Sequence, residues 1–371
     1  MGRSTTLSTV PRPAAPRRLA RRPRGAALSL ATAVMVGLAA CSAPAPEAPA
    51  PVTMTPTVDP SRGAPPAPDV PTVWPLTGVE VDEVPERPAV AVKVENTATA
   101  RPQSGLDQAD VVWETIVEFE VSRLVAVFHS QVPQEVGPIR SVRPMDPLIV
   151  APLNGLIAYS GGQPGILAEV QSSGVQSLSH DEGTGGMFRV SGRSAPHNVY
   201  GSVETFMAAA DAEHAASPEE QFAFARSAEK ASAVVDGSAA TTLSLRLSAQ
   251  ASPSWAWDGA TGTWQRSEGT VASLASGGDR LSAVNVVAIT APHPNSPYGA
   301  QGGAAVPTYD LVGEGPAVVA TGGSTVEGRW TKEAIDAPLQ LVDADGDPLL
   351  LAPGNTWVEL VPEGKGSLTV G

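Results

Sequence analysis

Gly137-Pro-Ile-Arg-Ser-Val-Arg143 sets two arginines three residues apart, directly before Pro144. A helix predicted over Pro144–Leu153 would point its first amides, with the Arg140 and Arg143 guanidiniums, at one anion. Arg193-Ser-Ala-Pro-His197-Asn198 adds a third guanidinium, an imidazole and an amide on a turn, and Arg101 stands before Pro102. Together these groups suit capture of a carboxylate or phosphate. The competing reading pairs the arginines with Glu114, Glu118, Asp110 and Asp146 inside the fold. Spacing alone leaves both open.

Other chemistry has weaker support. Glu114, Glu118 and Glu120 share one face of an expected strand. Glycoside hydrolysis needs two carboxylates facing each other across a cleft, whereas near neighbours on one strand usually form a solvated or arginine-paired face. Ser227-Ala-Glu-Lys230 matches S-x-x-K but falls late in an expected helix with no K-T-G after it. The five histidines are scattered singly and no H-E-x-x-H occurs, which argues against a zinc site. Asp343-Ala-Asp-Gly-Asp347 has its glycine too early for a calcium loop and reads as a hairpin turn. Ser194 precedes His197 by three residues, with no carboxylate evidently placed to orient the ring. Trp255, Trp257, Trp264, Trp330 and Trp357 suit a β core better than a sugar-stacking platform. No cofactor motif is present.

The elements that hold these residues follow from pattern. Val-rich runs at Pro88–Glu95, Ala109–Glu120 and Leu124–His129 read as strands. Ile166–Ser172 and Ser202–Ala210 have helical spacing, with Ser202 as N-cap. Ser217-Pro-Glu-Glu220 reads as a capping box that starts a helix ending near Lys230. From Thr241 onward short β-rich runs alternate with Gly, Asp and Pro. Ser254–Trp257 with Thr263–Arg266, and Leu339–Val342 with Pro348–Leu351, read as hairpins. The expected fold class is α+β: a mixed α/β N-terminal domain over 76–235, then a smaller β-rich domain over 236–371.

The N-terminus sets location. An arginine-rich head and an apolar stretch, Gly25–Ala40, end in Leu38-Ala-Ala-Cys41, the order of a secretory signal peptide. Cys41, the single cysteine, resembles the lipidated residue of a bacterial lipobox. Residues 1–40 are therefore expected to be removed. Residues 41–75, with eleven prolines from Ser42 to Pro75, read as a solvated tether. With Cys41 lipidated no thiol remains for a disulfide, a nucleophile or a zinc site. Residues 1–40 carry seven of the 24 Lys and Arg and no acid, which leaves 17 basic against 38 acidic residues, a net charge of −21. That surface repels nucleic acid. The expected partners are the membrane, through a lipid anchor on its extracytoplasmic face, and a cell-wall or envelope component.

Longer motifs carry a family resemblance. Val92-Lys-Val-Glu-Asn96, Ala100–Glu114, Ala126-Val-Phe128, Gly137–Arg143, Tyr159-Ser-Gly-Gly162 and Arg193–Tyr200 resemble the opening domain of the YerB-like lipoproteins. Asn285-Val-Val287, Gly328–Lys332 and Pro353–Trp357 resemble its C-terminal domain. The resemblance implies a two-domain envelope lipoprotein of Gram-positive type and brings no catalytic residues with it. Lys93 stands where the family more often has an apolar residue, and Tyr159 where His is frequent. The leading expectation is a binding or adaptor lipoprotein with an arginine-lined cleft. The alternatives are a hydrolase or transferase of cell-wall polymer and a structural partner of a membrane protein.

Overall fold

The computed structural model describes residues 70–371. The signal peptide, Cys41 and most of the tether lie outside the described residues. Strand β1 (Val90–Glu95) is buried along its whole length, as are β2 (Val111–Ile116) and β3 (Ser122–Phe128). Such unbroken burial marks strands covered on both faces, which explains their near-continuous Val content. β3 pairs antiparallel with β1 and β2. Beyond β1 the sheet continues in parallel with β4 (Leu156–Tyr159) and β5 (Gln176–Ser179).

The two halves of the chain share this sheet. Thr356–Pro362 lies parallel to β2 on one side and to Asn285–Ala291 on the other. Gly313–Thr321, Ser324–Lys332 and Gln340–Val342 then extend the sheet outward. Residues 236–371 are β-rich as expected, but they do not enclose a separate core: the described residues form one compact unit. A second sheet contains Thr242–Arg246, Pro253–Asp258 and Thr263–Glu268. Its inward tryptophans meet the main sheet, where Trp255 packs edge-on against Trp357 at 5.3 Å. Trp255, Trp264, Trp330 and Trp357 are fully buried and are core residues.

Helices are few and short. Those at α1 (Asp146–Val150), α2 (Pro164–Gln171) and α3 (Val203–Ala208) fall where expected, and the Ser202 hydroxyl caps α3 by accepting the Thr205 N–H. The capping box at Ser217 starts no helix. Phe222 and Ala225 are buried there along an extended path, the Ala225 N–H donates to the Leu351 carbonyl at 2.8 Å, and Phe222 stacks on Trp113. Burial of those rings outweighs a local signal worth about 1 kcal/mol. Val70–Pro75 also differs from the expected tether: Trp74 meets His129 edge-on at 5.1 Å, and Arg87 sits over the Trp74 ring.

That contact bears on acid stability. His129 is fully buried, and among the described residues neither ring nitrogen has a partner. Burial, aided by the Arg87 charge, lowers its pKa from 6.5 to about 4. The unfolded chain therefore binds the proton first. His129's stabilising contribution is complete above pH 6.5 and is lost as pH falls from there to about 4. The melting temperature is expected to decline through this window, and to decline less in His129→Phe. Identical pH profiles for the two proteins would remove His129 as a cause.

Candidate functional site

β4 pairs with only the first half of β1, at Val90–Val92. The free end of β1 is taken by the segment that carries the paired arginines. The Glu95 N–H donates to the Pro138 carbonyl at 2.9 Å, and the Arg140 N–H donates to the Lys93 carbonyl at 2.8 Å. Arg140 and Arg143 are thus fixed beside Glu95 at the sheet's end. Opposite them the chain turns from β2 to β3 through Glu118–Glu120, and the Arg193–Asn198 turn approaches from above β1. These pieces bound a cleft of about 560 Å³ whose lining includes Glu95, Glu118, Arg123, Arg140, Arg143 and His197.

The expected anion site at the start of α1 is corrected. Asp146 already fills it: its Oδ2 accepts the Arg143 N–H and its Oδ1 accepts the Lys93 Nζ, both at 2.7 Å. A five-residue helix bearing its own carboxylate has no need of an outside anion. The Arg143 guanidinium turns instead to Glu118, donating from Nε to Oε2 at 2.6 Å and from Nη2 to Oε1. Its Nη1 donates to the Val142 carbonyl at 2.7 Å. Arg123 adds a contact to Glu118 at 3.5 Å. Burial alone would raise the Glu118 carboxyl, but the Arg143 hydrogen bonds and both arginine charges hold it at about 2. Arg143 is therefore a structural group in the cleft floor.

Arg140 and His197 are differently placed. The Arg140 Nη1 donates to the Pro196 carbonyl at 3.1 Å, and its Nε lies 3.5 Å from Glu95 Oε2. Among the described residues Nη2 has no partner. The His197 Nδ1 lies 2.9 and 2.8 Å from the two Glu95 oxygens. Glu95 is 2% exposed and the His197 side chain 27%, so a buried carboxylate fixes a ring that reaches solvent. With Nδ1 engaged, Nε2 is the nitrogen left for a ligand.

The remaining candidates stand outside this lining. Arg193 clamps the distant Thr99–Pro102 segment, donating to the Thr99 and Pro102 carbonyls at 2.7 and 2.8 Å. Asn198 accepts from Arg189 at 2.7 Å. Arg101 holds Asn96 and approaches Glu268 at 3.3 Å. Glu120 leaves the expected strand face because β2 ends at Ile116, and Glu114 is fully buried against Arg266 at 2.7 Å. Sequence reasoning missed Glu95, the carboxylate that orients His197 from 102 positions earlier. The available signal was an acid ending a Val-rich strand.

The ionisable residues that build this cleft lie within a span that matches a family profile. The N-terminal-domain profile of the protein of unknown function family DUF3048 matches residues 76–216, and the C-terminal-domain profile matches 243–358. The chain belongs to this family. A Bacillus subtilis (strain 168) protein named "Putative lipoprotein YerB" is 36% identical over 139 residues, covering 37% of this chain and 42% of that protein. The aligned part is thus less than half of that relative. The crystal structure of the YerB protein from Bacillus subtilis superposes with a TM-score of 0.67 at 25% identity, covering 80% of this chain and 99% of that one. The overall fold is accordingly shared with that solved structure. Among the described residues no helix is long and apolar enough to cross a membrane.

Proposed function

We propose that this protein is an envelope lipoprotein, anchored through Cys41, that binds an anionic group of a peptide or envelope polymer at Arg140 and His197. The observation that carries this reading is the Glu95-anchored pair. Arg140 keeps one nitrogen free and His197 keeps Nε2 free, side by side at the cleft mouth, while Glu95 neutralises part of their charge and fixes their direction. Arg143 and Arg123 contribute field rather than contact.

Arg140→Gln should fold normally, within about 0.5 kcal/mol of the parent, as expected for a partly exposed side chain. It should bind inorganic phosphate or sulfate about ten-fold or more weakly, the loss expected for a charge-assisted hydrogen bond. Titration calorimetry of the full chain measures this, and equal binding by parent and variant rejects the reading.

One observation favours the hydrolase or transferase alternative. A carboxylate that orients an imidazole is the arrangement of a general base. Glu118, the second cleft carboxylate, does not supply an acid, because its two arginines keep it ionised. A carboxylate pair of the glycosidase kind is therefore the weaker form of that alternative. For a structural partner, the pairing of Arg143 with Glu118 and of Arg266 with Glu114 is the supporting observation.

A further inference from the structure

The turn between β2 and β3 is built against backbone preference. Phe119 (φ 62°, ψ 21°) and Glu120 (φ 59°) are consecutive non-glycine residues in the left-handed region. Bulky side chains are rarely held in this region without compensation. The Val117 N–H bond to the Val121 carbonyl (2.9 Å) and the Ser248 hydroxyl bond to the Glu120 carbonyl (2.5 Å) hold the turn in place. The conformation brings no core packing in return, because Phe119 is 64% exposed. What it does is raise an aromatic ring on a crest.

A second cleft of about 340 Å³ lies on the far side of that crest. Glu118 and Phe119 line both clefts, and the neighbours Val306 and Ala305 line the first and the second respectively. The second cleft presents Arg246, exposed and without a side-chain partner among the described residues, and Lys365, whose Nζ donates to the His293 carbonyl at 3.3 Å. Both ring nitrogens of His293 are also unpartnered there. In a chain of net charge −14, cations thus stand on either side of one exposed ring, with the exposed Glu120 carboxylate also in the second lining.

We propose that the two clefts form one groove for a short acidic oligosaccharide. A sugar ring lies on Phe119, one anionic substituent meets Arg140 and His197, and the next meets Arg246 and Lys365. This rests on the reading given under Proposed function and names its ligand class. Aromatic rings take the apolar face of a sugar, and the acidic surface disfavours densely charged chains such as nucleic acid. Widely spaced anionic groups on a neutral backbone satisfy both conditions.

The test uses the full-length protein with galacturonate, its hexamer, and neutral maltohexaose. The hexamer is expected to bind about a hundred-fold more tightly than the monomer through linked contacts, with maltohexaose far weaker. Arg246→Gln and Phe119→Asn should each lower hexamer affinity about ten-fold and erode the hexamer's advantage over the monomer. Asparagine accepts the left-handed turn, so Phe119→Asn should melt no lower than the parent. Arg140→Gln should weaken both ligands. If only Arg140→Gln has an effect, or the hexamer gains nothing over the monomer, the groove is overturned and the single-cleft reading stands. If Arg140→Gln also leaves binding of inorganic phosphate untouched, both readings fall. Equal binding of maltohexaose overturns the acidic class.

Discussion

Arg266→Met should lose about 3–5 kcal/mol of folding stability, read as a lower urea midpoint. Arg266 is buried between the two sheets and donates to Glu114 Oε2 at 2.7 Å, Glu268 Oε2 at 3.1 Å and Ser273 Oγ at 2.9 Å. Its guanidinium also covers the Trp357 ring at 5.1 Å. Glu114 and Glu359 are register partners on adjacent parallel strands, both fully buried. Burial, reinforced by the Glu114 charge, drives the Glu359 carboxyl well above its usual range, so it stays neutral while Glu114 is ionised on Arg266. Without the guanidinium Glu114 must either keep an unpaired buried charge or take up a proton. The double variant Arg266→Met/Glu114→Leu should recover much of the loss, because a packed apolar pair replaces the ion pair. A single-variant loss under about 1 kcal/mol would show that this charge is solvated.

Arg143→Gln should be nearly as damaging, again about 3–5 kcal/mol, because Glu118 would remain ionised in the cleft floor with only the longer Arg123 contact. Arg140→Gln, three residues away, should melt like the parent. The contrast is the sharpest check on the proposed division of labour between two arginines of one motif, Arg143 for the fold and Arg140 for an anionic ligand. If Arg143→Gln melts like the parent yet binds phosphate poorly, the roles are reversed.

The sequence patterns located most strands, because period and Val content report burial directly, and they located three helices through their caps or spacing. They misplaced Ser217–Lys230, where Phe222 is drawn to Trp113 from far along the chain and no local rule can register it. They also assigned two cores, since nothing within Thr356–Pro362 marks β2 as its neighbour. At the site, Arg140, Arg143 and His197, singled out by motif, line one cleft. Their roles were not legible, because each is decided by a carboxylate distant in sequence: Glu118 for Arg143, Glu95 for His197 and Arg140. Arg193, Asn198 and Arg101 looked equivalent by type and turned out to brace turns.

Thr356–Pro362 occupies the middle of the main sheet although it lies almost at the end of the chain. During synthesis, β2 and Asn285–Ala291 each wait with one unpaired edge until Thr356–Pro362 arrives. Pairing over such sequence separation makes for slow folding. Exposed edges of Val-rich strands in the meantime invite association with other chains. Synthesis order and fold order are therefore opposed in this protein: the second strand of the main sheet gains its parallel neighbour only when Thr356–Pro362 has been made.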